Sequence, residues 1–287
     1  MGNKSQKLEI ISLGDIRFWS EDEDKSNFLA NDDLSMVIHG GKLKDLYLRE
    51  GQIYHMAEAR VVMILEGSID TVVDLEEQTW QKGDILLLHP DTIQEVKRRS
   101  DDFDMIAVAF KGDVHVGDAL HLHASASEWK ELLQLMYLLW SLASHEPFRR
   151  QTVLSHIATI VGNIHDIYNA QEQRHPSAKP SSGELLFRRF RKLVSEHCDR
   201  ERNVPFYAEQ LYITPHHLSA VISRQSGRSV MYWINRATIL RAKVLLKQGD
   251  LKTNEIADRL NFPYHSTFTN FFKRETGMSP QEYRERG

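Results

Sequence analysis

The chain has 287 residues, 41% of them hydrophobic, which is ample for a buried core and typical of about two domains. Its single cysteine, Cys198, excludes an internal disulfide and favours a reducing, cytoplasmic setting. The charged N-terminus has no apolar signal core. The longest apolar stretch, 132–142, is interrupted by polar residues and is too short to cross a bilayer.

The net charge of −4 hides an asymmetry between the two ends of the chain. Residues 183–287 carry 18 Lys and Arg against 11 Asp and Glu, a net charge of +7, so residues 1–182 carry a net charge of −11. A basic C-terminal domain joined to an acidic one is typical of a DNA-binding module attached to a part that does not touch DNA. A chance division of solvated surface charge would give the same counts.

Residues 1–123 show the pattern of short β-strands. Six runs rich in Val, Ile, Leu and aromatic residues are separated by Gly and Pro turns: 34–38, 45–49, 60–65, 69–75, 84–88 and 103–110. Strands of this spacing predict a small barrel or sandwich, and the acidic run 21–24 is predicted to be a solvated loop. If the barrel holds an effector, inward-facing side chains should line the site: Val61, Met63, Leu65, Ile85 and Leu87. The same side chains could instead simply fill the barrel.

A change of hydrophobic period predicts an antiparallel helix pair over residues 127–168, with Ser127 as the first N-cap. Two apolar stripes lie on either side of a break at 144–147: Trp129, Leu132, Leu133, Met136, Leu139 and Trp140 in the first, and Val153, Leu154, Ile157, Ile160, Val161, Ile164 and Tyr168 in the second. The pair could pack on the β domain or form a dimer interface, and we expect a homodimer held by it.

The polar segment 170–182 has two prolines and predicts a linker between domains 1–169 and 183–287.

The C-terminal part of the chain contains an internal repeat. Ala208, Leu211 and Ile213 match Ala257, Leu260 and Phe262 at an offset of 49. A second set matches at an offset of 50: Leu218, Val221, Ile222, Arg224, Gly227, Ser229 and Trp233 with Phe268, Phe271, Phe272, Arg274, Gly277, Ser279 and Tyr283. Each copy predicts a short helix, a tight turn and a longer helix closed by Gly, which is a helix-turn-helix unit. Two such units predict contact with two successive stretches of major groove.

The second, longer helix of each unit is the candidate DNA-reading helix. In the first unit, 205–211 is the predicted supporting helix and Thr214 caps a helix over 215–225; in the second, Thr253 is the predicted cap of the supporting helix. The outer faces offer short polar groups that can read bases and cations that can bind phosphates. These candidate DNA-binding residues are His216, Ser219, Ala220, Ser223, Arg224, Ser266, Thr269, Asn270, Lys273 and Arg274.

The segment RAKVLLKQGDLKTNEIADRLNFPYHSTFTNFFKRETGMSPQEYR resembles the signature of the AraC-type transcriptional regulators, and the resemblance covers residues 183–286. It implies a domain of seven helices in which 230–246 forms the long connecting helix. It also implies that His216, Ser219 and Ala220 in the first reading helix, and Ser266, Thr269 and Asn270 in the second, face bases. Ala220 departs from the longer, often basic residue frequent there and offers only an apolar contact.

The segment ARVVMILEGSIDTVVDLEEQTWQKGDILLLHPDTIQEV is similar, less specifically, to the family's cupin-like sensor domain. Enzymatic cupins hold a metal with a His-x-His, a following Glu and a later His. Here the equivalent region offers His55 and Glu58 without a His-x-His, and Gln94 near the later position. His121 and His123 have the spacing of a metal pair but follow the last predicted strand. We therefore expect no metal and no other cofactor.

These observations predict an α+β protein: an N-terminal cupin-like β-barrel with a helical hairpin, and a C-terminal all-α domain with two helix-turn-helix units. The resemblance implies a cytoplasmic, bacterial transcriptional regulator that binds double-stranded DNA, holds a small-molecule effector in its N-terminal domain, dimerises, contacts RNA polymerase if it activates, and does not use a membrane. No catalytic residue, nucleotide loop or nucleophile motif is recognised, so we do not expect an enzyme. Two alternatives stay open: a cupin-type metalloenzyme or small-molecule-binding module with an attached DNA-binding domain, and a regulator whose β domain serves only for assembly.

Overall fold

The computed structural model describes residues 8–11, 27–43, 48–90, 92–117, 119–174, 181–247 and 251–285. The chain divides into two compact units, the first drawn mainly from residues 10–176 and the second mainly from 177–287. The first contains β-sheets and two long helices, whereas the secondary structure described in the C-terminal part of the chain is helical. The fold class is α+β, as the sequence predicts.

The described part of the first unit contains eleven strands in two sheets: β1 (Leu8–Ile11), β2 (Phe28–Ala30), β3 (Leu34–Val37), β4 (Ile53–Met56), β5 (Ala59–Glu66), β6 (Ser68–Val73), β7 (Glu76–Gln81), β8 (Asp84–Leu88), β9 (Thr92–Arg99), β10 (Asp104–Phe110) and β11 (Leu120–His123). One sheet has the order β1-β4-β9-β6-β7 and the other β11-β8-β5-β10-β3-β2. Antiparallel pairing joins β5 to β8 and β10, and β9 to β4 and β6.

Six of these strands are absent from the sequence-based prediction: β1, β2, β4, β7, β9 and β11. The β9 sequence TIQEVKRR lacks a clear apolar alternation, yet the strand lies between β4 and β6, and its backbone pairs on both sides. Backbone hydrogen bonding in the sheet therefore outweighs weak strand propensity here. Most of the predicted strand 45–49 and the acidic run 21–24 lie outside the described residues.

Two separate apolar clusters form the core of the first unit. The cluster between the sheets contains side chains from both of them, including Val62, Ile64, Leu86 and Leu88 from the six-stranded sheet and Tyr54, Met56, Ile69, Trp80 and Val96 from the five-stranded sheet. The other cluster lies on the opposite face of the six-stranded sheet, where it includes residues of two helices. Side chains alternate between faces along a strand, so neighbouring residues of β5 and β8 belong to different clusters.

This alternation corrects the predicted effector site. Val61, Met63, Ile85 and Leu87 are fully buried in the cluster with the helices, and Leu65 packs against the same cluster. The expectation that these five side chains point into the space between the sheets is therefore wrong. The strands and their period were identified, but a period of two does not reveal which face is inside, because both faces of this sheet are covered.

The helix pair consists of α1 (Ala126–Ala143) and α2 (Arg150–Arg174). The N-cap of α1 is Ser125 rather than the predicted Ser127: its hydroxyl accepts from Glu128 N, while its own N–H donates to Glu128 Oε2 at 2.9 Å. Helix α2 continues beyond the predicted end at 168 and into the predicted linker, because residues 169–174 (NAQEQR) include good helix formers.

The apolar stripes of the helix pair face the sheet. Met136 and Ile157 are fully buried in the same cluster as the outer side chains of β5 and β8. The other fully or almost fully buried members of the stripes are Leu132, Leu139, Val153, Ile160, Val161 and Ile164. These eight side chains pack within the domain, which is the first of the two roles that the sequence analysis left open, and they are not available on the surface for a subunit contact.

We predict that Ile157→Ala destabilises the protein by about 2–5 kcal/mol, because it leaves a cavity in a closely packed cluster. The measurement is the midpoint and slope of urea unfolding of the full chain. Thr159→Ala, at an exposed position on the same helix, is the matched control and should change the unfolding free energy by less than about 0.5 kcal/mol. An Ile157→Ala variant as stable as the control would contradict the assignment of this helix face to the core.

The second unit contains seven helices in its described part: α3 (Ser182–His197), α4 (Val204–Gln210), α5 (Pro215–Ser226), α6 (Val230–Lys247), α7 (Thr253–Arg259), α8 (His265–Thr276) and α9 (Pro280–Glu285). Helix α6 contributes to two separate cores. Val230, Ile234 and Ala237 pack with α3, α4 and α5, whereas Ile239, Ala242, Leu245 and Leu246 pack with α7, α8 and α9. No helix in the described ranges is long and apolar enough to span a membrane.

Candidate nucleic-acid interface

The two repeats adopt the same tight turn between their short and long helices. Tyr212 and Asn261 occupy equivalent positions, and both have left-handed backbones, with φ of 57° and 53°. The next residue donates its N–H to a carbonyl five positions back, Ile213 to Ala208 at 3.0 Å and Phe262 to Ala257 at 2.9 Å. This bond ends each supporting helix in the manner of a Schellman motif, and the small Ala permits the close approach.

The ends of the two long helices also match, bond for bond. Gly227 and Gly277 have φ of 66° and 81°, a conformation that favours glycine, and they close α5 and α8. The preceding hydroxyls, on Ser226 and Thr276, donate to the carbonyls of Ile222 and Phe272 at 2.8 and 2.7 Å. The repeat in the sequence is therefore a repeat in structure, with an offset of 50 residues in this half.

The starts of the helices differ between the units. Thr214 caps α5 as predicted, because its Oγ1 accepts from His217 N at 3.2 Å. Helix α8 begins after Tyr264, whose side chain makes no capping bond. Thr253 is the first residue of α7 rather than its cap; the cap is Lys252, whose N–H donates to the Glu255 carboxylate at 2.5 Å. The carboxylate thus supplies the half of a capping box that accepts from the cap residue, while no side chain of the cap accepts from the first turn.

Each long helix buries one face and exposes the other. Leu218 and Ile222 of α5, and Phe268 and Phe272 of α8, are fully buried. Nine of the ten candidate DNA-binding residues are exposed: His216, Ser219, Ala220, Ser223, Arg224, Ser266, Asn270, Lys273 and Arg274. Short polar side chains on an exposed helix face, with cations beside them, can bond to base edges and phosphates.

Thr269 is the exception among the candidates. It is half-buried, and its Oγ1 is buried without a hydrogen-bond partner among the described residues. Its hydroxyl therefore does not face solvent in this conformation. Ser219 is exposed, but its hydroxyl donates to Pro215 O at 2.9 Å, which leaves the oxygen lone pairs available as acceptors.

The cations differ in their surroundings. The guanidinium of Arg274 donates to Glu275 Oε1 at 2.7 Å and lies 5.4 Å from the centre of the Phe271 ring, so part of its charge is neutralised within the helix. Lys273 and Arg224 are exposed and adjoin the polar faces of α8 and α5.

Two exposed tyrosines beside these helices were missed by the sequence analysis. Tyr212 is 95% exposed at the turn before α5, and Tyr264 is 72% exposed at the start of α8. Tyrosine side chains are usually more buried than this, so both are accessible for contact with a bound molecule. An aromatic residue within a predicted turn is the signal that could have identified them. Their hydroxyls can donate to phosphate oxygens.

The histidine pair of the N-terminal, β-sheet unit is hydrogen-bonded to a carboxylate. His121 Nε2 and His123 Nδ1 lie 3.0 and 2.8 Å from the two oxygens of Asp84. Burial opposes ionisation of Asp84, but the hydrogen bonds from the two histidines and from the Gln81 N–H hold the pKa of this carboxyl below its usual value. Among the residues that the structure covers, no group of three His, Cys, Asp or Glu side chains is arranged to hold a metal ion. His55 and Glu58 are both buried.

Cys198 is almost fully buried at the end of α3. Burial raises the pKa of its thiol to about 11, so almost none of it is thiolate near neutral pH. This residue packs in the core of the first helix-turn-helix unit.

Comparison with known proteins agrees with this geometry. Residues 207–286 match the family described as a helix-turn-helix domain. The C-terminal part of the chain is an AraC-type helix-turn-helix domain. The chain is 27% identical over 139 residues to the uncharacterized HTH-type transcriptional regulator YijO of Escherichia coli, covering 48% of this chain and 47% of that one. It is 32% identical over 69 residues to the HTH-type transcriptional activator RhaR of Yersinia pestis, covering 24% of each.

The matched segment thus spans about half the length, or less, of these curated relatives. Among solved structures, ToxT from Vibrio cholerae is 15% identical, with 88% of this chain and 97% of that chain covered and a TM-score of 0.43.

We predict that Asn270→Ala weakens binding to a preferred DNA site by about 1–3 kcal/mol and relaxes the preference at one base pair, because a bidentate amide contact to a base is lost. Lys273→Ala, three residues further along the same helix, is the matched comparison and should weaken binding to all sequences about equally. The measurement is affinity across a panel of single-base-pair variants of the site. Similar profiles for the two variants would show that Asn270 does not read a base.

Proposed function

We propose that the protein is a sequence-specific DNA-binding transcriptional regulator whose helices α5 and α8 enter two successive stretches of major groove. The observation that carries this proposal is the duplicated hydrogen-bonded turn, which presents two helices with matching buried and exposed faces. The AraC-type domain and the curated relatives named as regulators support it. Among the candidates, His216 and the exposed short side chains of α5 and α8 contact bases, and the cations contact phosphates: Arg224, Lys273 and Arg274. Tyr212 and Tyr264 add phosphate contacts.

The first test is the salt dependence of DNA binding by the C-terminal domain. The fragment should begin before Ser181, because Ser181 Oγ accepts from Glu184 N at 3.2 Å and caps α3. We predict that its affinity falls steeply as salt rises, because each phosphate contact adds about 0.9 to the slope of log affinity against log salt concentration.

The DNA for this test is selected from a random pool, which also gives the length of the site and the spacing of its parts. The full-length chain, measured on the same DNA, is the control for any loss caused by truncation. An affinity that does not change with salt, or no selection of any sequence, would contradict the proposed function.

We further propose a homodimer that uses the outer face of α1 rather than its buried stripe. Tyr137 and Leu138 are 40% and 48% exposed, and they lie opposite Met136 and Leu139, which are buried. Exposed apolar side chains on a helix are a usual component of subunit contacts. A symmetric pair would place two double readers on one operator and raise their effective concentration.

We predict that Tyr137→Glu combined with Leu138→Glu converts the dimer to a monomer, because each chain would then bring two like charges into an apolar contact. The measurement is sedimentation equilibrium, with circular dichroism to show that the variant is folded. Thr159→Glu, at an exposed position on the other helix of the pair, is the control and should remain dimeric. A folded double variant that is still dimeric would place the interface elsewhere.

An effector, if the N-terminal unit holds one, would bind between the two sheets rather than beneath the helices. The side chains of this space are apolar near Val62, Ile64 and Leu86, and Gln94 adds a buried amide whose Nε2 has no partner in the described part of the chain. Such a lining suits a largely apolar molecule with a polar group. Contact with RNA polymerase would follow if the protein activates transcription.

A further inference from the structure

The loop between α3 and α4 contacts both helix-turn-helix units. On the side of the first unit, Asn203 caps α4 by accepting from Phe206 N at 2.9 Å, and the Tyr207 hydroxyl donates to Glu201 O at 2.7 Å. Two bonds to α4 therefore fix residues 201–203 to the supporting helix of that unit.

The same loop also bonds to the turn of the second unit. Arg202 Nη2 donates to Asn261 O at 2.6 Å, and its guanidinium carbon lies 3.5 Å from the centre of the Phe262 ring. In return, Asn261 Nδ2 donates to Arg200 O at 2.7 Å. These contacts join residues about sixty positions apart in sequence, and they are reciprocal: each side gives one side-chain donor and one backbone acceptor.

The residue types suit this arrangement. A guanidinium is planar, so it can stack on an aromatic ring and donate a hydrogen bond in its own plane at the same time, which an ammonium cannot do. Asn tolerates the left-handed backbone of this turn, and its amide reaches the carbonyl of Arg200. At the equivalent position of the first unit the side chain is Tyr212, which is almost fully exposed.

These contacts lie where they can affect the orientation of the second reading helix, α8. The buried cores of the two helix-turn-helix units have no residue in common in the described structure. Helix α6 contributes different residues to each core. A single helix between two cores leaves their relative orientation open to bending and twisting. Asn261 and Phe262 lie three to four residues before the start of α8, so a contact that holds this turn also holds the first residues of the helix.

We propose that Arg202 and Asn261 form a clamp that sets the orientation of α8 relative to α5, and thereby the spacing between the two DNA segments that the domain accepts. Both are positioning residues and neither needs to touch a base. The part of this inference that concerns DNA spacing rests on the proposed function, whereas the part that concerns orientation does not.

The orientation is tested without DNA, on the full chain. Nitroxide labels at Gln210→Cys and Gln281→Cys report the distance between the units, since both positions are exposed and Cys198 is buried. Arg202→Ala removes one half of the clamp. Asn261→Gly removes the other half and retains a residue that accepts positive φ. Arg189→Ala, at an exposed position on α3, removes the same charge elsewhere and is the control.

We expect one narrow distance distribution for the unsubstituted chain and for the control, and a broader or shifted one for each clamp variant. The double variant should be at least as broad as either single one, because it removes both halves of the clamp. Thermal unfolding of each variant shows that both units remain folded. Folded clamp variants with the distribution of the unsubstituted chain would overturn the proposal.

The spacing is tested on DNA selected from a random pool by the full chain, with one or two base pairs then inserted between the two contacted segments. Arg202→Ala and Asn261→Gly should lower affinity for the selected spacing by about tenfold and should also lose most of the discrimination against the insertions. Arg202→Lys should retain the charge but restore little of this discrimination. A uniform loss at all spacings that Lys restores would mean that Arg202 only binds phosphate, and would overturn the proposal.

The two experiments separate this inference from the function on which it builds. A chain that selects no DNA sequence would contradict the proposed function, and the distance measurement would still decide whether the clamp sets the orientation.

Discussion

The tight turn between the two helices of each repeat is the constraint on which the fold of the whole C-terminal domain depends. Its central residue must take a left-handed backbone so that the next N–H can reach a carbonyl five residues back. The carbonyl belongs to Ala208 in one repeat and Ala257 in the other, where a larger side chain would hold the helices apart. Once this bond forms, the following helix leaves at a fixed angle, and its apolar face meets the supporting helix.

Burial of apolar side chains then decides which residues of the longer helix face solvent. Leu218 and Ile222, or Phe268 and Phe272, occupy the inner face of the longer helix, so the polar residues between them necessarily lie outside. The two units reach this result with different side chains, aliphatic in one and aromatic in the other. The larger rings of the second unit also form edge-on contacts with Phe262 and Tyr283, and they extend the core to α9.

The sequence predicts the C-terminal architecture well because its signals are local. The repeat offset and the closing Gly227 and Gly277 can be read from short stretches of the chain, and the structure reproduces them. The long helix near 230–246 was implied by the resemblance, and the structure contains it too. The N-terminal unit is harder, because its signals depend on what covers each face. Val61 and Val62 have the same chemistry, and only the position of the helix pair decides which of them faces the space between the sheets. The clamp through Arg202 and Asn261 gives no local pattern, since its partners lie far apart in sequence.

The shared helix α6 has a consequence for how such a domain can change. A helix turns about 100° and advances about 1.5 Å per residue. One residue inserted into α6 would therefore rotate the second reading helix by more than a quarter turn about the axis of α6, relative to the first reading helix. Substitutions on α5 and α8 can alter the bases that are read one at a time. A change in the length of α6 would instead displace a whole reading surface at once. The length of α6 is therefore a stricter constraint on the domain than the identity of the exposed residues on α5 and α8.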